Sequence, residues 1–321
     1  MRAVVTGATS FLGAALIRRL LEEGHQVYAV VRPYSANRKV LPENVPGLWV
    51  LELDMERLLE LPGQIGERCE VYFHFAWDGS GSVNRKRQEI QEKNAKDSVN
   101  ALKGARALGC RRFFFSGSQA EYGQCKDRMR EGQECRPISW YGLAKTEFYR
   151  QAQKLCRGWK DEGKETLEYI HARIFSVYGP GDHPGSLVNS CLEAFLNGGI
   201  MELGACTQLW NYLYIDDLVN AFMALMEYPG ELEKDGLYNI AGEASWTRPL
   251  KDYVEEMRRL CGGRGECLYG KLPPNAEGPA NLIPDISRMK AIGWRPSVSF
   301  EEGIGRLLRE KGKDRNVNGK R

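Results

Sequence analysis

Through the first half of the chain, apolar residues come in short unbroken runs, and between those runs they recur every three or four positions. Ala3-Val-Val-Thr6 is the first run, and others fall near 26 to 31, 48 to 53, 70 to 75, 111 to 117 and 167 to 175. Unbroken β-branched and aromatic runs predict strands buried on both faces. Helical periodicity between them predicts crossovers, so the pattern reads as a parallel sheet covered by helices on both sides. The first helix is expected from about Phe11 to Glu23, burying Leu12, Ala15, Leu16 and Leu20 and stopping at Gly24. Longer helical patterns cover about 84 to 108 and 141 to 160.

Past Gly179 the rhythm changes. Pro180, Gly181, Pro184 and Gly185 interrupt it, and helices near 186 to 197, 216 to 227 and 248 to 261 mix with short strands. The reading is an α/β chain with a doubly wound, Rossmann-type domain over residues 1–178. Residues 179–310 form a smaller mixed α/β substrate lid, with a return to the sheet near 205–242. Residues 311–321 hold one apolar side chain and are expected to be a flexible basic tail.

Composition narrows the class. With 321 residues, 42% apolar and 27% charged, the chain has the makeup of an ordinary globular protein with a sizeable core. Its 45 basic and 42 acidic side chains leave a formal charge of +3, which gives no reason to invoke nucleic acid or a membrane surface. No apolar run approaches the roughly 18 residues of a membrane span, and the chain opens directly into its first strand, so neither export nor insertion is expected. Nine cysteines, an odd number without a Cys-x-x-Cys pair, read as reduced thiols of a cytoplasmic protein. The four histidines, at 25, 74, 171 and 183, have no ligand spacing to another His or Cys, and no metal site is predicted.

Val4-Val-Thr-Gly7-Ala-Thr-Ser10-Phe-Leu-Gly13 joins the first strand to the first helix. Glycine there lets the backbone approach a pyrophosphate, and the helix N-terminus offers N–H donors and positive potential. The expected contacts are Gly7, Thr9, Ser10, Phe11 and Leu12. A fold preferring NAD places Asp or Glu after the second strand. This chain has Arg32 there, with Asn37 and Arg38 close behind. A guanidinium pairs with a 2′-phosphate, so NADP(H) is predicted over NAD(H).

Tyr141-Gly-Leu-Ala-Lys145 lies 23 residues beyond Ser118, which itself follows an apolar strand. Tyrosine and lysine four apart share a helix face, so the ammonium can hold the phenol near its ionised form, as a proton donor for carbonyl chemistry requires. Tyr122 and Lys126 repeat the spacing in a turn-like segment, so context must choose between the pairs.

The ordered series Thr6-Gly7 to Gly13, Leu53-Asp54-Met55, His74-Phe-Ala76, Ser116-Gly-Ser118, Tyr141 to Lys145, Arg173 to Pro180, Tyr214 to Asp217, Tyr238 to Gly242, Pro284 to Ser287 and Gly293-Trp294 spans nearly the whole chain. It resembles the extended short-chain dehydrogenase/reductase family, in its branch of nucleotide-sugar epimerases, dehydratases and reductases. The resemblance implies that Ser118 hydrogen-bonds the reacting oxygen, that Tyr141 carries its proton, and that Lys145 binds the nicotinamide ribose and lowers the phenol pKa. It places Asp54 and Met55 beside the adenine, and Phe75, Ala76 and Trp77 along the coenzyme. Trp77, Gln119, Ser176 and Trp210 fall at substrate positions.

Departures from the family sharpen the expectation. Ser10 replaces the usual middle glycine, and Trp77 replaces a small residue and is expected to narrow the site. The acidic residue that dehydratases carry after the catalytic Ser/Thr is Gln119 or Ala120 here, and Glu121 comes one place too late. Ser176 replaces an Asn, and Trp210 stands where an Arg binds the diphosphate, so the anchor would be another cation such as Arg248 or Arg288, or the substrate lacks that handle. Asp216 and Asp217, opening a helix, are expected to be N-terminal caps and dipole partners. In the resembling family the helices near 84 to 108 and 141 to 160 form a dimeric four-helix bundle; Val99, Leu102, Phe148 and Leu155 suit it, and burial within one chain explains them equally well. The leading expectation is NADP(H)-dependent reduction of a keto group on a nucleotide-activated sugar. Epimerisation with a retained coenzyme, reduction of small non-sugar carbonyls, and non-catalytic nucleotide sensing are the alternatives.

Overall fold

The computed structural model describes residues 1–81, 83–162, 167–273 and 280–318, with backbone alone from 313 onward. Strands β1 (Arg2–Thr6), β2 (Gln26–Val31), β3 (Leu48–Glu52), β4 (Val71–His74), β5 (Arg112–Ser118) and β6 (Glu168–Ile174) form one sheet with Leu237–Ile240. The order is Leu237–Ile240, β6, β5, β4, β1, β2, β3, with every pairing parallel. Successive side chains alternate sides: Val5, Phe73 and Phe114 join one apolar layer, while Val4, Tyr72 and Phe113 join the other. The order reverses between β4 and β2 on either side of β1, and the crevice at such a point is where doubly wound sheets bind ligands.

Helices α1 (Phe11–Glu22), α2 (Leu61–Ile65), α3 (Gln88–Ala107) and α4 (Trp140–Asp161) flank the β1 to β6 half. The helix expected from 84 begins at Gln88, because Arg87 is extended and splits off a 3₁₀ turn, Asn84–Lys86. The last helix runs Phe300–Asn318, into the segment expected to be a flexible tail. Ile304 and Leu307 are buried and anchor its start, and Lys, Arg and Glu beyond them are good helix formers, so an established helix propagates. Residues 319–321 of that tail lie outside the described residues.

Of the four apolar positions suited to an intermolecular bundle, Leu102 and Phe148 are fully buried in this chain's own core. Val99 instead lines an open groove between α3 and α4, together with Ala95, Trp140 and Leu143. All nine cysteines are free thiols, and no helix among the described residues is long and apolar enough to cross a membrane.

Candidate active site

The β1–α1 turn is built around Gly7. Its φ is +66°, and a Cβ there would lie 2.6 Å from the backbone N of Ala76, so only glycine lets β1 close against the β4 exit. Ser10 serves as the N-cap of α1: its Oγ accepts from the Gly13 N–H at 3.1 Å. The replacement of the middle glycine therefore gives the helix a cap. Thr6 and His74, at the ends of β1 and β4, are hydrogen-bonded at 2.6 Å, and burial holds the His74 imidazole down to about 3. His74 is thus a neutral structural link between two strand ends.

A cleft of about 220 Å³ opens over these ends. Gly7, Thr9 and Ser10 line it from the turn, Arg32 and Asn37 from beyond β2, Met55 from beyond β3, and Phe75, Ala76 and Trp77 from beyond β4. Arg32 faces Asp78 across its rim at 3.5 Å. Leu53 and Met55, on either side of Asp54, also line the cleft, and Phe11 and Leu12 follow Ser10 directly. Arg38 pairs with Glu52 at 2.5 Å, Asp54 is exposed, and Phe11 and Leu12 are half-buried against the first apolar layer. Short polar and small residues around a tight turn and a helix N-terminus fit a dinucleotide's phosphates.

Ser118 closes β5 and caps the 3₁₀ turn Gln119–Tyr122, its Oγ accepting from Ala120 N–H at 3.2 Å. Ser139 caps α4 by accepting from Gly142 N–H at 3.2 Å, which starts the helix just ahead of Tyr141. Tyr141 is 8% exposed and Lys145 is 1% exposed, one turn apart on the inward face. The Lys145 ammonium donates to the Ser116 carbonyl at 2.5 Å and sits over the rings of Trp77 at 4.0 Å, Phe115 at 4.6 Å and Tyr141 at 5.1 Å. Burial pushes its pKa down to about 7, with the Glu121 carboxylate opposing and the Arg85 cation adding to the effect. Trp77 packs edge-on to Tyr141, centroids 6.0 Å apart at 86°, and its indole N–H donates to Gln91 Oε1 at 2.8 Å.

Beneath the serine lies a buried ionic group. Glu121 Oε1 accepts from the Ser118 backbone N–H at 2.8 Å and from His171 Nε2 at 2.9 Å, and Oε2 accepts from Arg173 Nε at 3.0 Å. The Tyr169 hydroxyl donates to His171 Nδ1 at 2.7 Å, which fixes the neutral tautomer. Against the cost of burial, His171 and Arg173 hold the Glu121 carboxyl down to about 2. Gly117 makes room for this: a Cβ there would lie 2.5 Å from His171 Nε2. Glu121 is therefore committed beneath the site. The look-alike Tyr122 is buried with its hydroxyl on Asn239 Oδ1 at 2.7 Å, a core position.

Of the positions expected to meet substrate, Gln119 and Ser176 are half-buried, at the 3₁₀ turn and at the start of Ser176–Tyr178. Trp210 keeps its indole N–H buried without an acceptor among the described residues. The alternative anchors are already paired. Arg288 makes a two-pronged contact to Asp235 at 2.6 and 3.1 Å, while Arg248 stacks on Tyr253 at 4.0 Å and pairs with Glu256. Asp216 and Asp217 do not cap their helix, whose N-cap is Tyr214, but both lie in its first turn, where a carboxylate faces the positive end of the helix dipole. Asp216 pairs with Arg306 at 3.0 Å, and Asp217 accepts from the backbone N–H groups of Ser297 and Val298. Far from the cleft, Glu23, His25 and Glu227 bring ligand atoms within 4.8 Å of one another, an arrangement that exposed acidic groups commonly adopt without an ion.

Sequence reasoning missed four contacts: Arg85, whose guanidinium lies 4.5 Å over the Tyr141 ring; Gln91, which pins Trp77; and His171 and Arg173, the partners of Glu121. Each contact joins residues far apart in sequence, and no local pattern announces them.

The family model described as NAD dependent epimerase/dehydratase matches residues 3–241. A UDP-N-acetyl-alpha-D-glucosaminuronate decarboxylase of Bacillus cytotoxicus is 25% identical, over 94% of this chain and 95% of its own. A dTDP-4-dehydro-6-deoxyglucose reductase of Escherichia coli is 28% identical, over 95% and 96%. A solved UDP-glucose 4-epimerase of Thermotoga maritima superposes with a TM-score of 0.83 at 25% identity, covering 95% of this chain and 96% of that one. The parallel sheet with its cleft over β1 and these likenesses agree: the chain belongs to the NAD dependent epimerase/dehydratase family and is an enzyme of the extended short-chain dehydrogenase/reductase type.

Proposed function

We propose that this protein is an NADP(H)-dependent oxidoreductase that reduces a keto group of a nucleotide-activated sugar, with Tyr141 as the general acid. The observation that carries this reading is the buried pairing of Tyr141 with Lys145 on one face of α4, the ammonium fixed by the Ser116 carbonyl one residue pair before Ser118. The nucleotide-sugar class follows the relatives, which act on sugars carrying UDP or dTDP.

Gly7, Thr9, Ser10 and the β2 and β4 exits would hold the coenzyme, which supplies a hydride when bound. The Ser118 hydroxyl hydrogen-bonds the carbonyl oxygen, and Tyr141 delivers a proton to that oxygen as negative charge builds on it. Lys145 favours the phenolate that remains. Gln119 and Ala120 offer no carboxylate for eliminating water, and Glu121 is held beneath the turn, so carbonyl reduction suits the site better than dehydration.

An epimerase would use the same three groups, and the likeness to a solved epimerase favours keeping that reading in view. NADPH absorbance followed with nucleotide-linked 4-keto sugars, beside product analysis of the corresponding 4-hydroxy sugars incubated with the oxidised coenzyme, separates the two. Reduction consumes one NADPH for each keto sugar turned over, whereas an epimeric product formed from a 4-hydroxy sugar with no net change in coenzyme transfers the assignment to epimerisation.

Coenzyme choice rests on Arg32 at the cleft rim and on the absence of an acidic residue directly after β2. NADPH is expected to bind more tightly than NADH, and Arg32→Glu to weaken NADPH by about tenfold to a hundredfold through loss of a charge-assisted contact. Competitive titration of the two nucleotides reads this directly, and equal affinities in the parent protein would remove the argument.

A further inference from the structure

We propose that Asp78 is a specificity-determining residue of the coenzyme cleft, an internal competitor that holds the Arg32 guanidinium across the cleft mouth and narrows the preference for NADPH over NADH. This inference deepens the reading of Arg32 as the partner of a 2′-phosphate and rests on it. Both residues line the same cleft of about 220 Å³, Arg32 from the β2 exit and Asp78 from the β4 exit, and their charged ends meet at 3.5 Å. The two backbones are held in place. The Arg32 carbonyl accepts from the Ser35 N–H at 3.2 Å, which closes the turn after β2. Asn94 of α3 clamps Asp78: the Asp78 N–H donates to Asn94 Oδ1 at 3.0 Å, and its carbonyl accepts from Asn94 Nδ2 at 2.7 Å. Asn94 is 3% exposed, and the neighbouring Gly79 carbonyl accepts from the fully buried Gln91 at 3.0 Å.

A rim held in this way opens by side-chain rotation. The two side chains are 70% and 65% exposed, so their pairing contributes little in the empty cleft and is released easily. Its consequence differs between the two coenzymes. A 2′-phosphate that pairs with Arg32 displaces the Asp78 carboxylate, and a phosphate monoester, carrying about −1.5 to −2 charges at pH 7, is also repelled by that carboxylate across the same cleft. A 2′-hydroxyl is neutral and meets neither effect. Arg38, farther along the loop, pairs with Glu52 at 2.5 Å and is engaged there. Arg32 is thus the charge that favours the 2′-phosphate and Asp78 the charge that opposes it, and the preference is the difference between the two.

The test is the dissociation constant of NADPH and of NADH, measured by fluorescence titration of the full-length protein at one low ionic strength for the parent, Asp78→Asn and Asp78→Glu. Asp78→Asn keeps the shape and removes the charge, and is expected to tighten NADPH by about threefold to tenfold while NADH stays within about twofold. Asp78→Glu keeps the charge and is expected to stay near the parent for both nucleotides. An unmoved NADPH constant in Asp78→Asn overturns the proposal, as does an equal change for both nucleotides, which would trace the effect to the shape of the rim. Loss of NADH affinity with NADPH unmoved also overturns it, by making the carboxylate a ribose ligand instead of a competitor. Arg32→Glu separates this failure from failure of the coenzyme reading. If Arg32→Glu leaves NADPH unchanged, the 2′-phosphate contact itself is absent and both readings fall; if it weakens NADPH and Asp78→Asn does nothing, only the role given to Asp78 falls.

Discussion

Tyr141→Phe is expected to lower turnover by about 10² to 10⁴ while leaving coenzyme affinity nearly unchanged. The substitution removes one hydroxyl and keeps the ring, so the edge-on contact with Trp77 and the cation contacts from Arg85 and Lys145 persist. The cleft proposed for the coenzyme, over β1, β2 and β4, has walls that do not include Tyr141. What is lost, on the proposed reading, is the group that moves a proton at the reacting oxygen, an interaction made in the transition state, so kcat and kcat/KM are expected to fall together. Steady-state kinetics with a coenzyme titration alongside measure both halves. Tyr122→Phe is the matched control: it has the same spacing to a lysine but lies buried with its hydroxyl on Asn239, so it should cost stability and spare turnover. Unchanged turnover in Tyr141→Phe would remove the enzymatic role given to this residue.

The parts of the site that were legible in the sequence are those encoded locally. A glycine at 7 between an apolar run and a periodic helix, and a tyrosine and lysine one turn apart, carry their geometry within a few residues. The parts that were not legible depend on distant partners. Arg248 and Arg288 read as free cations because a sequence does not show that Glu256 and Asp235 will meet them. Glu121 reads as a misplaced catalytic acid until β6 brings His171 and Arg173 beneath it, 50 and 52 residues later. Arg85 sits in a turn whose hydrophobic pattern runs smoothly into α3, so periodicity alone merges the two and hides the loop that carries its guanidinium to Tyr141.

Glu121→Gln is expected to destabilise the fold by about 3 to 5 kcal/mol at neutral pH, because it leaves the buried Arg173 without its counter-charge. Glu121 is fully buried and Arg173 is 2% exposed, so solvent cannot substitute for the missing carboxylate. Glutamine retains the volume and can still accept from Ser118 N–H, which confines the loss to charge. The pH dependence follows from the folded carboxyl's being held down to about 2 against an ordinary value of 4.5. Its contribution is complete above the unfolded value and drains away as pH falls from there toward 2. His171 acts in the same direction: burial lowers its pKa, so the unfolded chain takes up its proton first as acid is added. Urea denaturation across this range should therefore show a wide gap between parent and Glu121→Gln at neutral pH that narrows on acidification, since a protonated carboxyl and an amide are nearly alike in shape and charge. A gap of constant size at every pH would assign the loss to packing and leave the carboxylate without the role of holding Arg173 and the Ser118 turn together.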